Sequence, residues 1–467
     1  MGSPIQAPGG SSAGSLNRDA LSFLEVVAQS VANIAPSATP ALIIPLVFAS
    51  AGNGTWLAYA LATIALLFVT PQINVFAARS ASPGALYTFA RDGMGNRAGA
   101  LCGWSLLLAY IFTATATLAG FTNYFVVLLE HFGVPLTNRG ALIAVMTADA
   151  VLCAAIAWKD VKLSTRFMLA MEMASVGLIT VLALIFFLRR GPLSDPVQAH
   201  LAGVNAAGLR QGVVLAFFSF VGFESATALG DEAKNPLVAI PRSVFASVVI
   251  TGGFFVAMAY TLVQAFHGSA IALDKSNAPL VTVAEAARVP WFALVLTIGI
   301  LLGQFACTLA SINAAARVLY SMARDGYFHA SAGKAHSMHA TPHVAVLASA
   351  VLAFAPAAVL AATRVAVMEI FGYAGTLATF GFLFSYAMVS IAAPLYLRQQ
   401  HALRPKHVAI TIAALLLLTI PIVGSVYPVP DAPYKYFPYI YVGLMAVGAA
   451  VLELGSEGIF SARVGDR

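Results

Sequence analysis

The chain has 467 residues, 60% of them apolar and only 9% charged, with a formal net charge of +6 and a mean hydropathy of +0.85. Soluble domains carry about 25% charged residues, so this composition excludes an ordinary water-soluble domain and reads as a polytopic membrane protein. The basic balance is too sparse for a nucleic-acid surface, and no nucleic-acid partner is expected.

Residues 1–16 are rich in Gly, Ser and Pro and lack an apolar core, which predicts a disordered tail rather than a signal peptide. Beyond them, apolar stretches of the length a bilayer requires predict twelve spans: 22–48, 52–78, 98–128, 140–158, 167–188, 209–230, 243–266, 291–317, 344–362, 367–396, 408–427 and 436–454. No long polar segment separates them, so one membrane domain is expected to hold essentially the whole chain.

The first span carries Asn33, Pro36, Ser37, Thr39 and Pro40 at mid-depth. Each proline removes a backbone donor and clashes with the preceding turn, which predicts unwinding near 35–40. Opened backbone in hydrocarbon must either line a binding site or be satisfied by Ser37, Thr39 and neighbouring helices. In the third span, Tyr110, Thr113, Thr115 and Thr117 form a polar stripe, and Tyr110 and Thr113 are candidates to face such a site.

Glu172 lies in the fifth span, six residues beyond Arg166. It either pairs with a basic residue at the cytoplasmic end or couples protons. Asp149 in the fourth span and Glu369 near the outer end of the tenth are weaker cases. The sixth span is interrupted at Phe220-Val-Gly-Phe-Glu-Ser225, which places Glu224 mid-membrane with no basic residue near it in sequence. For Glu224 the alternatives are proton-coupled gating, recognition of a substrate amine, or a structural hydrogen bond to the opposing broken helix. Interrupted spans five apart point to an inverted-repeat transporter with a midplane site, and an odd separation turns the second repeat upside down.

The eighth span places Gln304, Thr308 and Ser311 on one helical face, and the tenth sets Tyr373 and Thr376 beside Gly372 and Gly375 as gate or packing residues. Cys102, Cys153 and Cys307 lie within apolar segments and are expected to be buried small hydrophobes. His329, His336, His339 and His343 are too loosely spaced for a metal centre, so neither metal nor cofactor is expected. The His-Glu-x-x-His, Gly-x-Ser-x-Gly and phosphate-loop patterns do not occur, which argues against an enzyme or an ATP-driven pump.

Of the 25 Lys and Arg, 17 fall in one alternating set of loops and tails and 8 in the other. The rule that basic loops stay inside then predicts both termini in the cytoplasm of a multi-pass protein of the cell (inner) membrane, with lipid around it. Arg317, Arg324 and Asp325 are expected to make cytoplasmic salt bridges that hold an inward gate.

Gly222-Phe-Glu224, followed by Glu232-Ala-Lys-Asn-Pro236 and Ile240-Pro-Arg242, resembles the amino acid, polyamine and organocation transporter superfamily. Two further blocks agree, Ser80-Ala-Ser-Pro-Gly-Ala-Leu-Tyr87 and Asn313-Ala-Ala-Ala-Arg-Val-Leu-Tyr-Ser-Met-Ala-Arg-Asp-Gly326, so the resemblance covers nearly the whole chain. It implies an all-helical, leucine-transporter-like fold of five plus five spans, with a core at 17–400, inverted repeats at about 17–190 and 205–400, and two extra spans within 401–467.

The same resemblance implies a substrate site built from Asn33, Ile34, Ala35, Pro36, Ser37 and Ala38 of the first span and Phe218, Val221, Gly222, Glu224 and Ser225 of the sixth. Phe218 takes the place of an aromatic gate and Val221 that of a substrate-facing side chain. The family's Gly-Ser-Gly turn for a substrate carboxylate is matched by Ala35-Pro36-Ser37, a departure that removes one donor and makes an amine substrate more credible. In sodium-coupled relatives, hydroxyls at the places of Thr308 and Ser311 join first-span carbonyls around the ion.

The expectation is a secondary active transporter for a small amino acid, proton-coupled through Glu224 and Glu172, with sodium the lesser option. An amine or polyamine transporter, or an amino acid/amine exchanger, is the alternative, and a channel or transporter-like sensor is the alternative of a different class. The oligomeric state is left open.

Overall fold

The computed structural model describes residues 16, 18–190, 194–276, 278–427, 429–430 and 432–456. The expected N-terminal tail therefore lies outside the described residues, apart from Leu16. Sixteen α-helices are present among them: α1 (Phe23–Ile34), α2 (Ile44–Ala51), α3 (Thr55–Ala77), α4 (Leu86–Met94), α5 (Asn96–His131), α6 (Arg139–Lys159), α7 (Val161–Arg190) and α8 (Pro196–Ala199). The second half of the chain adds α9 (Ala206–Phe218), α10 (Pro236–Ala265), α11 (Pro279–Ala286), α12 (Phe292–Arg324), α13 (His343–Ala362), α14 (Val367–Gln399), α15 (Pro405–Gly424) and α16 (Phe437–Ser456).

Ten stretches of the described residues are long and apolar enough to cross a membrane. The first, Phe23–Ala77, runs through α1, α2 and α3 over 55 residues and is interrupted inside α1–α2 and again at Gly52–Gly54. The expected sixth span is not among the ten, because its helix α9 stops at Phe218 and turns follow. Helix α10 starts at Pro236, seven residues before the expected 243, since a proline in the first turn lacks only a donor that no helical carbonyl would have accepted.

Helix α5 is buried along most of its length and packs against α14 and α12, while α1 is wedged between α7, α10 and α12. Small residues allow the close approaches that hold helices together where lipid removes the hydrophobic drive. A Cβ at Gly381 of α14, for instance, would lie 2.8 Å from the Ala109 Cβ of α5. Around this centre, Val151 and Leu152 of α6, Leu184 of α7, Val359 of α13 and Leu416 of α15 are exposed, an apolar belt suited to acyl chains. The composition, the ten apolar stretches and this belt make the chain a multi-pass membrane protein.

One short non-helical pairing ties distant parts together. Leu21 N donates to the Glu232 carbonyl at 2.9 Å and Lys234 N donates to the Leu21 carbonyl at 2.8 Å, so the chain ahead of α1 runs parallel to the turn that follows the sixth interruption.

Candidate functional site

The first interruption lies where the prolines place it. Helix α1 ends at Ile34, Ala35 takes a left-handed conformation at φ 50°, and Pro36 and Ser37 form a turn. Ala38 N donates back to the Ala35 carbonyl at 2.9 Å, and Thr39–Ile43 continue as a single π-helical turn into α2. A wider turn accommodates Pro40, which cannot donate and would crowd a regular helix. Asn33 through Pro40 are all buried.

The second interruption meets the first directly. Gly222 sits at φ +88°, and a Cβ there would fall 1.9 Å from Asn33 Nδ2. Only glycine permits both the backbone angle and the approach. Just beyond, Ser225 Oγ donates to the Gln29 carbonyl at 3.1 Å and Ala226 N donates to Ser30 Oγ at 2.9 Å, which fixes the two broken spans side by side.

Glu224 is fully buried at this junction. Tyr110 of α5 donates its phenol proton to Oε1 at 2.8 Å, and Tyr386 of α14 donates to Oε2. The Tyr386 oxygen in turn accepts from Gly222 N at 3.3 Å. Two phenols and, among the described residues, no cation surround this carboxylate in the low-dielectric interior, where an unpaired charge is costly. The opposing backbone, one of the partners considered from sequence, is not its partner.

Glu172 of α7 meets that backbone instead. Ser37 N, in the opened first span, donates to Glu172 Oε1 at 3.1 Å. Glu172 Oε2 is buried without a geometrically well-formed hydrogen bond among the described residues, and it and the Ser37 hydroxyl, which also interacts with Glu172, flank Gly303 of α12. The expected pairing with a basic residue at the cytoplasmic end is not found among the described residues. Arg166 turns instead to Glu25 of α1, at 2.6 Å.

The remaining expected residues divide. Ile34, Ala35, Ala38 and Val221 are buried at the junction, and Asn33 anchors it, accepting from Ser311 Oγ at 2.6 Å through its side chain and from the Cys307 thiol at 3.3 Å through its carbonyl. Thr308 donates to the Gln304 carbonyl at 3.1 Å and bonds Thr117 at 2.8 Å, so neither expected sodium-site hydroxyl touches a first-span carbonyl. Thr113 bonds back to Ala109 at 2.9 Å, and Thr115 reaches the Ala353 carbonyl of α13 at 2.8 Å. Only Tyr110 of the third-span stripe contacts Glu224.

On α14, Tyr373 packs on Tyr434 and Phe437, with ring centres 5.7 and 5.3 Å away, and Thr376 bonds back to Gly372 at 2.8 Å. Their neighbours on α14 meet Phe218, the residue expected as an aromatic gate. Phe218 lies 6.0 Å from the Phe371 ring and so close over Gly375 that a Cβ there would be 2.0 Å from it. Tyr386, Phe371 and Gly303 were not singled out from sequence, where an aromatic or glycine in an apolar span reads as packing.

Charged pairs gather near the end of α12. Arg317 makes a two-pronged pair with Glu232, Nε to Oε2 at 2.5 Å and Nη2 to Oε1 at 3.0 Å, with both side chains buried. Asp325 accepts from Arg91 and Tyr87 rather than from Arg317 or Arg324. Burial and the Asp325 carboxylate push the Tyr87 phenol above its ordinary value, which keeps it a donor in this contact. Arg324 lies over the Tyr320 ring at 5.6 Å. No cluster of three or more His, Cys, Asp or Glu suited to a metal occurs among the described residues.

Known proteins resemble this chain in sequence. The chain is 25% identical over 320 residues to the branched-chain amino acid permease BcaP of Bacillus subtilis, an alignment that covers 63% of this chain and 65% of that one. It is 25% identical over 316 residues to the cationic amino acid transporter 4 of Mus musculus, covering 65% and 49% of the two chains, and 24% identical over 319 residues to a methylthioribose transporter of B. subtilis, covering 66% and 65%. The matched regions thus span from about half to just under two thirds of these relatives. All three are named as transporters or permeases and none as an enzyme. With the amino acid permease profile matching residues 25–444, an all-helical membrane architecture and two broken spans in contact, the chain belongs to the amino acid permease family.

Proposed function

We propose that the chain is a secondary active transporter that carries a small amino acid with protons, by alternating access around the junction of the first and sixth spans. The observation that carries this reading is the contact of the two interruptions through Gly222 and Asn33, next to a buried carboxylate held only by phenols. Relatives named for branched-chain and cationic amino acids support the substrate class. Counting Phe23–Ala77 as two spans and the broken sixth as one gives twelve, arranged as five plus five with two more in 401–467. Both termini are then cytoplasmic and the membrane is the cell's inner one.

Glu224 and Glu172 are the proton-coupling residues in this reading, since each is a buried carboxylate without an ion-pair partner among the described residues. Engagement of Thr308 and Ser311 with protein partners favours the proton over sodium. A second reading, transport of an amine, draws on the same excess of carboxylates and on Pro36, which cannot donate to a substrate carboxylate.

Reconstitution into liposomes tests both. Labelled amino acids from a standard panel should enter faster under an acid-outside gradient and should show accelerated counterflow, which a channel cannot produce. Glu224→Gln should keep counterflow but lose the response to the gradient. Uptake indifferent to the gradient in the unaltered protein removes proton coupling, and uptake of amines alone replaces the first reading by the second.

A further inference from the structure

In the turn that precedes the half-helix running through Thr39 into α2, Ala35 N and Ala38 N each donate to a backbone carbonyl and Pro36 has no amide, so Ser37 N–H is the amide of this turn left for another acceptor. Freed amides at the start of a half-helix suit an anionic group. In this structure the anionic group is already present, and it is the protein's own: Glu172 Oε1 accepts the Ser37 amide at 3.1 Å. We propose that Glu172 stands in for the carboxylate of the transported amino acid, so that substrate and the ionised Glu172 compete for the same amide and a proton on Glu172 lets the substrate in. The inference rests on the reading that the first-span opening holds an amino acid's carboxylate.

Two features favour a displaceable stand-in over a permanent strut. Glu172 is 2% exposed yet uses one oxygen for one amide, and its Oε2 has no geometrically well-formed hydrogen bond among the described residues. The Ser37 hydroxyl also interacts with Glu172, so the amide and the side chain of one residue both face the carboxylate. The two side chains flank a glycine: a Cβ at Gly303 would lie 1.8 Å from Ser37 Oγ and 3.1 Å from Glu172 Oε2, so α12 leaves room where a side chain would lock both. An ionised carboxylate holds an amide about twice as firmly as a neutral acceptor does, so a proton on Glu172 weakens the competitor without removing it.

The surroundings leave the charge of Glu172 to be set by that proton. From α12, Cys307 interacts with it electrostatically, and Arg317 is held by Glu232. From α6, Asp149 is engaged with the Cys153 thiol at 3.5 Å. From α1, Glu25 is held by Arg166 of α7, and Lys162 lies further out on the same helix. Glu285 of α11 lies near the far end of α7, where Arg189 donates to the Ala287 carbonyl at 3.3 Å, and Arg242 of α10 is exposed. None of these cations pairs with Glu172.

Binding of the twenty standard L-amino acids and of their carboxamides to the purified full chain, at acid and mildly alkaline pH, tests the proposal. For an amino acid that binds, affinity should fall about tenfold per pH unit above the Glu172 transition, as linkage to one proton requires. Glu172→Gln should bind the same amino acid at alkaline pH as tightly as the unaltered protein does at acid pH. Its carboxamide, which has no carboxylate to compete with, should be unaffected by the substitution. If Glu172→Gln does not fold, Glu172→Asp replaces it: the charge stays but retreats by one methylene, and alkaline affinity for the amino acid should rise while that for the carboxamide should not.

An unchanged pH slope in Glu172→Gln, or an equal gain for amino acid and carboxamide, overturns the competition while leaving the amino acid reading intact. Failure of every amino acid to bind at either pH, in either protein, overturns that reading and the inference with it.

Discussion

At the scale of single residues, the site depends on one missing side chain. Gly222 combines a left-handed backbone with a 1.9 Å approach of any added Cβ to Asn33 Nδ2, so Gly222→Ala meets two penalties. The backbone alone costs about 1–2 kcal/mol, and the clash adds to it by pushing Asn33 off Ser311. Gly222→Ala should therefore lower the melting temperature of the purified protein and abolish uptake, and Gly222→Ala with Asn33→Ala should recover part of the melting temperature. No recovery would mean that the backbone angle alone decides. Sequence exposed the glycine and the glutamate, because both are conspicuous in an apolar span, but not their partners. Tyr386 lies 162 residues from Glu224, and a tyrosine in a span carries no local sign that its hydroxyl has a carboxylate to meet. Glu172 was legible as a charge out of place, but six residues from Arg166 is the wrong spacing for neighbours on one helical face. Its true partner is a backbone amide that exists only because another span is broken.

At the scale of elements, apolar length located the spans and proline located the first break, because both act through the helix itself. Helices α4, α8 and α11 escaped notice, since helices of four to nine residues lack the long apolar run that marks a span. The end of α12 is pinned to the turn after the sixth interruption by the Arg317–Glu232 pair, buried on both sides. Removing one partner strands the other charge, at a cost of about 3–5 kcal/mol. Arg317→Met or Glu232→Gln alone should each lower thermal stability steeply. The double variant should lose clearly less than the sum of the two, and additive losses would show that the charges are not coupled.

At the scale of the whole molecule, Phe218 packs over Gly375 beside the junction, and Arg317 and Asp325 are each held in ion pairs near the end of α12. The three cysteines are buried, and Cys307 lies against the Asn33 carbonyl within the junction. A membrane-impermeant maleimide should therefore leave all three largely unlabelled. Loosening the charged end with Arg317→Met should speed labelling of Cys307 while Cys102 and Cys153 stay slow, and uniform labelling of all three would signal unfolding instead of opening. The pairing of Leu21 with Glu232 and Lys234 also has a bearing on how the molecule is made. The segment ahead of the first span cannot take its final place until a partner some two hundred residues later has left the ribosome, a wait of roughly 10–40 s at ordinary rates of synthesis. Until then the segment ahead of the first span lacks this partner, so its final seat waits on a turn encoded about two hundred residues later.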